Sequence, residues 1–268
     1  MSVTFCKSLS AIILAFVVFI NTIGNFIGVG DIIPTAPAET TTAVAESLPV
    51  EDETETPEGM MTKSEFVAFL NSETAKAAEG SYDFSRSRSY IDPIDVGGAT
   101  GILNSIIGAI DEDSNLDSVV GDFIGIGTKS GHVPENYLKD DYKLKATFLT
   151  EADLRSFTAS EDGVYTFTLA NATNPKKTGE TSLSRFTDDF ITHEEVADSI
   201  SDFTTAITLK DSTVTYKNIF VSVTVAEGKI TNVSYSYDFE ATLSIKAGVT
   251  INGSGSVATN AKFSNIEY

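Results

Sequence analysis

One cysteine, two histidines and no tryptophan stand in a chain of 268 residues, and each scarcity removes a class of chemistry. A structural zinc site needs about four Cys or His ligands, and Cys6, His132 and His193 cannot supply them. An intramolecular disulfide needs a second cysteine, so an exported fold built on this chain must be held by its core. Basic residues are scarce as well: 18 Lys and Arg face 38 Asp and Glu, giving a formal charge of −20. Binding to nucleic acid requires clustered Lys and Arg. No window here carries such a cluster without acids close by, which excludes DNA and RNA as partners. The missing Trp removes a common stacking platform for sugars and leaves only Tyr for that role.

Familiar motifs are missing too. The stretch Gly121 to Gly131 (GDFIGIGTKSG) breaks the order of a phosphate loop, because Thr128 separates Gly127 from Lys129. It is predicted to be a flexible loop. His193-Glu194-Glu195 lacks the second His of a zinc-protease helix, and no G-x-S-x-G elbow occurs. Asp111, Asp113, Asn115, Asp117 and Asp122 match calcium-loop spacing, yet Leu116 stands where the sharp turn needs Gly, and Ser118 fills the apolar eighth position. A solvated turn between helices is the expectation there, with no metal ligand and no cofactor. A glycosidase needs only two carboxylates on a cleft. Here the acids sit mostly in solvated runs, and the chain is expected not to be an enzyme.

The N-terminus carries an address. Lys7 precedes the apolar run Ala11 to Ile20, and small-residue cleavage options follow at Ala36-Pro37-Ala38 and Ala43-Val44-Ala45. This is the pattern of an export signal. An uncleaved signal anchor spanning residues 9–29 is the alternative, and the only membrane contact expected. Both orientations of argument place the body outside the cell. Residues 1–38 are therefore read as signal or anchor. Residues 39–61 follow as an acidic, disordered linker, since acids, prolines and few apolar groups cannot offset the entropy of ordering.

From residue 62 a single domain is expected to run to 268. Thr62-Lys63-Ser64-Glu65 is a capping box, and the apolar stripe after it predicts a helix reaching Gly80. Tyr82 to Ile91 alternates as a strand, with Arg86 and Arg88 on the face of Tyr82 and Tyr90. In so acidic a chain these arginines are expected to meet carboxylates, a dedicated anion site being the alternative. Amphipathic helices are predicted at 102–110 and 116–124, strands at 142–148 and 164–170, a short helix at 151–157, and one or two helical turns within 181–201.

The last third is the most regular. From Thr231 to Ile245 every second residue is apolar, and Val214 to Val225 alternates likewise across a Glu227-Gly228 turn. Gly248 to Gly255 is predicted as a turn or irregular return, and Val257 to Ile266 as a further strand. Residues 212–268 hold four acids and four bases, so the acidic surface belongs to the rest of the chain.

The expectation is an α+β domain: a long, curved antiparallel sheet, a half-barrel-like meander, with amphipathic helices packed on its apolar face. In outline this resembles half-barrel lipid and lipoprotein carriers outside bacterial membranes, a likeness of architecture over about the last 200 residues that rests on no motif. It implies a secreted or membrane-anchored cell-surface protein whose apolar sheet face, Val233, Tyr235, Tyr237, Phe239 and Leu243, binds a hydrophobic small molecule or cell-envelope component. The competing expectation is a surface adhesion or structural module with no ligand cavity. A carrier requires an unfilled apolar cavity, and an adhesin does not.

Overall fold

A computed structural model describes residues 60–100, 112, 113, 115–135, 142–201, 208–247 and 249–268. The export segment, the linker up to residue 59 and the helix expected at 102–110 lie outside the described residues. Among those described, no helix is long and apolar enough to cross a membrane.

The body is mostly antiparallel sheet. Its strands are β1 (Ser81–Asp95), β2 (Gly127–Val133), β3 (Leu154–Ala159), β4 (Val164–Leu169), β5 (Ala172–Thr173), β6 (Thr208–Ala226), β7 (Lys229–Ala247) and β8 (Val249–Glu267). They form one open sheet in the order β2-β1-β8-β7-β6-β4-β3, with β5 also pairing β6. The described helices are α1 (Lys63–Ala77), α2 (Leu116–Ile124), α3 (Ser182–Phe186) and α4 (His193–Ser201).

Three strands of 19 residues make the centre of the sheet. Strand β7 buries Val233, Tyr235, Tyr237 and Phe239 and turns the intervening polar residues outward, as its alternation requires. Glu227 and Gly228 both adopt positive φ, 53° and 73°, the primed turn whose twist matches the flanking strands. Strand β6 changes parity midway. Val214 and Tyr216 are buried, then Ile219, Val221 and Val223. A register shift between Lys217 and Phe220, with Asn218 at φ 52°, inserts the extra residue that keeps both sets on one face.

Helix α1 begins as its capping box dictates: Thr62 Oγ1 accepts the Glu65 N–H, and Glu65 Oε2 accepts the Thr62 N–H at 2.9 Å. Those bonds hold the Glu65 carboxyl below its ordinary range. Phe66 from this helix stacks on Tyr165 at 4.6 Å and meets Phe167 edge-on, which ties α1 to the β4 side of the sheet.

Four local expectations are corrected. Residues 142–148 form no strand, because side chains of α1 take backbone groups here: Thr74 Oγ1 accepts the Thr147 N–H, and Asn71 bonds both the N–H and the carbonyl of Leu149. The helix expected at 151–157 is a single 3-10 turn, Glu151–Asp153, followed by β3. Asp153 closes the capping box that starts this turn by accepting the Thr150 N–H, and beyond it Phe157 pairs across to Phe167. The loop at 121–131 is the end of α2, a left-handed Gly125 and then strand β2. Finally, β8 starts at Val249, so 249–255 is strand. Gly253 has a packing reason, since a Cβ there would sit 3.2 Å from Val96, just past the end of β1, whereas one on Gly255 would make ordinary contact with Ile94 at 3.4 Å.

Candidate functional site

The aromatic face of β7 is where the sequence places the candidate ligand surface, and sheet register shows its neighbours. Tyr235 lies between Val221 and Ala261, Tyr237 beside Thr259, and Phe239 between Tyr216 and Val257. The rings interlock: Tyr216 meets Tyr237 edge-on at 5.3 Å and Phe239 at 5.2 Å, and Phe186 of α3 stands edge-on to Tyr235 at 5.5 Å. Val233, Tyr235, Tyr237 and Phe239 are thus brought together and buried. Leu243 is not among them. It is half-buried further along β7, opposite Gly253.

One strand beyond β8, the same rows reach arginine. Arg88 is opposite Thr259 and Arg86 opposite Ala261, so each arginine continues the row of one tyrosine. Over these rows lies the segment 187–191 that joins α3 to α4. Asp189 Oδ1 accepts from Arg86 Nη1 at 2.6 Å and from Arg88 Nη2 at 2.9 Å. Its Oδ2 accepts from the Tyr235 hydroxyl at 3.1 Å, and its carbonyl accepts from the Tyr237 hydroxyl. Ile191 exchanges two bonds with the Tyr216 hydroxyl, its N–H donating at 2.8 Å and its carbonyl accepting at 2.7 Å. Three tyrosine hydroxyls and two guanidinium groups therefore hold Asp189 and Ile191 of this segment.

The electrostatics follow from burial. Removal from water pushes the Tyr216 and Tyr235 hydroxyls well above their ordinary pKa. Tyr237 is pushed up to about 12, first by burial and then by the Asp189 carboxylate. Burial alone would favour neutral Arg88, but the Tyr237 hydroxyl bonded to it and the Asp189 carboxylate outweigh burial and raise the guanidinium's pKa. Beside Arg88, Ile191, Tyr216, Tyr237 and Phe239 the remaining void is about 10 Å³, no more than one water requires.

A larger cleft, about 390 Å³ and open, lies at the far end of β6, β7 and β8, lined by Asp95, Asp211, Leu243 and Ser, Thr, Asn and Gly residues. Its two carboxylates come from β1 and β6. These strands are three spacings apart, about 14 Å between backbones. Asp95 Oδ1 is in addition engaged by the Gly97 N–H at 2.6 Å.

His193 Nδ1 meets Ser212 Oγ at 2.5 Å, but Ser212 is buried, which makes the pair a tether between α4 and β6. Of the calcium-like spacing, Asp111 lies outside the described residues. Asn115 caps α2, with its side chain accepting the Ser118 N–H at 2.9 Å, so the residues after it are helical. Among the described residues no three His, Cys, Asp or Glu side chains converge as a metal set.

Sequence reasoning places Arg86, Arg88 and the tyrosines correctly on one face but misses Asp189, Thr187 and Ile191. Their only local signal is Phe190 and Ile191 within TDDFIT, an apolar pair between polar neighbours. Comparison of the chain with protein-family models, curated proteins and solved structures found no match.

Proposed function

We propose that this chain is an exported, non-enzymatic protein that works at the cell surface as a packed adhesive or structural module, making its contacts through its exterior. In this reading the sheet curls as a half-barrel around the segments that cover it. The observation that carries the reading is the occupied aromatic face: residues 187–191 lie where an acyl chain would lie, and the void left beside them is about 10 Å³. Drug-sized and larger ligands use cavities of about 300–1,000 Å³.

The exterior supports the same reading. One row across the sheet runs Ser130, Ser85, Lys262, Ser234, Ser222, Thr166 and Thr158, and the next runs Thr128, Ser87, Asn260, Ser236, Phe220, Thr168 and Ser156. Such a hydroxyl-rich, nearly uncharged face suits many weak polar contacts. Native mass spectrometry of the protein, purified gently from cells that make it, tests the choice. The bare mass is expected, and a reproducible adduct removed by organic solvent would restore the carrier. Export is tested separately, by adding protease to intact cells. Digestion is expected, and protection until lysis would overturn it.

A further inference from the structure

The arginines that bind Asp189 belong to a wider convergence of positive charge. Lys129 on β2 stands directly opposite Arg86, and α2 ends beside both at Gly125, whose φ of +78° turns the chain back toward the sheet. At the point a Cβ on Gly125 would occupy, the three nearest atoms are Arg86 Nη2 at 3.1 Å, Arg88 Nη1 at 3.9 Å and Lys129 Nζ at 3.9 Å. Three cations from two strands thus meet around one glycine.

Their compensation is incomplete. Arg88 Nη1 donates to the Ile124 carbonyl at 2.7 Å, a contact favoured at the negative end of a helix. Asp189 takes one nitrogen from each arginine. The second terminal nitrogen of Arg86 faces Gly125, and among the described residues Lys129 forms no ion pair. Among the described residues, one carboxylate set against three cations leaves a surplus of two positive charges, in a protein whose net charge is −20. Like charges this close repel unless a counter-ion lies between them. Lys129 is exposed, so the cluster opens to solvent on the β2 side.

We propose that Arg86, Arg88 and Lys129 form a binding site for a dianionic oxyanion of the phosphate class, with Arg86 Nη2 and Lys129 Nζ as its direct donors. A phosphate or phosphomonoester carries nearly two negative charges at neutral pH and matches the surplus. A single carboxylate would leave one cation uncompensated. Arginine supplies the directed fork and lysine the point charge, the pairing by which phosphate oxygens are commonly held. Gly125 keeps the approach open, since any side chain there would crowd Arg86. The site differs from a phosphate loop, because side chains rather than a run of backbone N–H groups supply the donors.

The test uses the full chain, with inorganic phosphate and glycerol 3-phosphate each titrated at constant ionic strength against chloride while thermal unfolding is followed. A saturable rise in Tm is expected with at least one of them. Binding of inorganic phosphate alone marks an enclosed free-ion site, and binding of the ester marks one open to a phosphorylated group. Lys129→Gln should weaken the apparent affinity by about tenfold or more, while the Tm measured in chloride holds or rises as the repulsion is relieved. Lys262→Gln, on the outer face, should leave affinity unchanged. No saturable effect from either anion, or equal affinity in Lys129→Gln and the unaltered protein, would overturn the assignment.

Discussion

Asp189 gathers four polar bonds from the sheet, receiving both arginines and the hydroxyls of Tyr235 and Tyr237. Replacing it by Asn keeps the shape but leaves two partly buried guanidinium groups without their carboxylate. Asp189→Asn should lower unfolding free energy by about 2–4 kcal/mol, measured by urea titration. The tyrosines give a second handle. An unfolded tyrosine ionises near 10, whereas Tyr237 keeps its proton to about 12 because it is buried. The folded state therefore binds more protons in that window, and stability should fall as pH rises through it. Urea titrations repeated between pH 9 and 12 check this, and a flat profile would contradict the burial. The arginines' face was legible in the alternation of β1. Their partner was not, because it lies about 100 residues away in sequence, and no local pattern specifies which of 38 acids folds back onto them.

Elements differ in how plainly their sequences announce them. Helix α1 is legible from its capping box, and β7 from strict alternation, because in both a local rule and the burial it serves point the same way. Strand β2 is illegible for the opposite reason: GTKSGHV offers no apolar period, and its place at an edge, exposed except at Val133, requires none. The first part of β8 hides behind glycines that read as a turn, although Gly253 serves close packing just past the end of β1. Strand β6 carries its own correction in Asn218, whose left-handed backbone keeps Tyr216 and Ile219 on one face. Asn218→Gly should be nearly neutral. Asn218→Val, which resists positive φ, should cost about 1–2 kcal/mol, read from the shift in denaturation midpoint.

At the scale of the molecule, charge and topology divide the labour. The neutral strands β6 to β8 form the centre, while the acids gather on the helices, the connections and the first part of the chain. That division is legible from composition. Sheet order is not, since nothing local in SYDFSRSRSYI says that its partner is the most distant strand. Strand β1 pairs with β8 over most of its length, and Asn265 Nδ2 donates to Asp83 across 182 residues of sequence. Tyr268 closes the same seam, its hydroxyl donating to Glu73 of α1 at 2.8 Å and accepting the Ile230 N–H at 2.9 Å. Removing residues 249–268 should abolish the cooperative unfolding transition, seen as a loss of the sigmoidal denaturation curve rather than a shift of its midpoint.

Under the export proposed above, the pairing of β1 with β8 would also set a clock on biogenesis. A chain threaded through a translocation pore amino end first delivers β1 long before β8, and during that interval β1 has no strand for its inner flank. Closure must wait until nearly everything has crossed. The domain would then stay unfolded, and so remain competent for threading, without a dedicated chaperone to hold it open. Non-local pairing that slows folding in solution would here keep the protein from jamming its own passage.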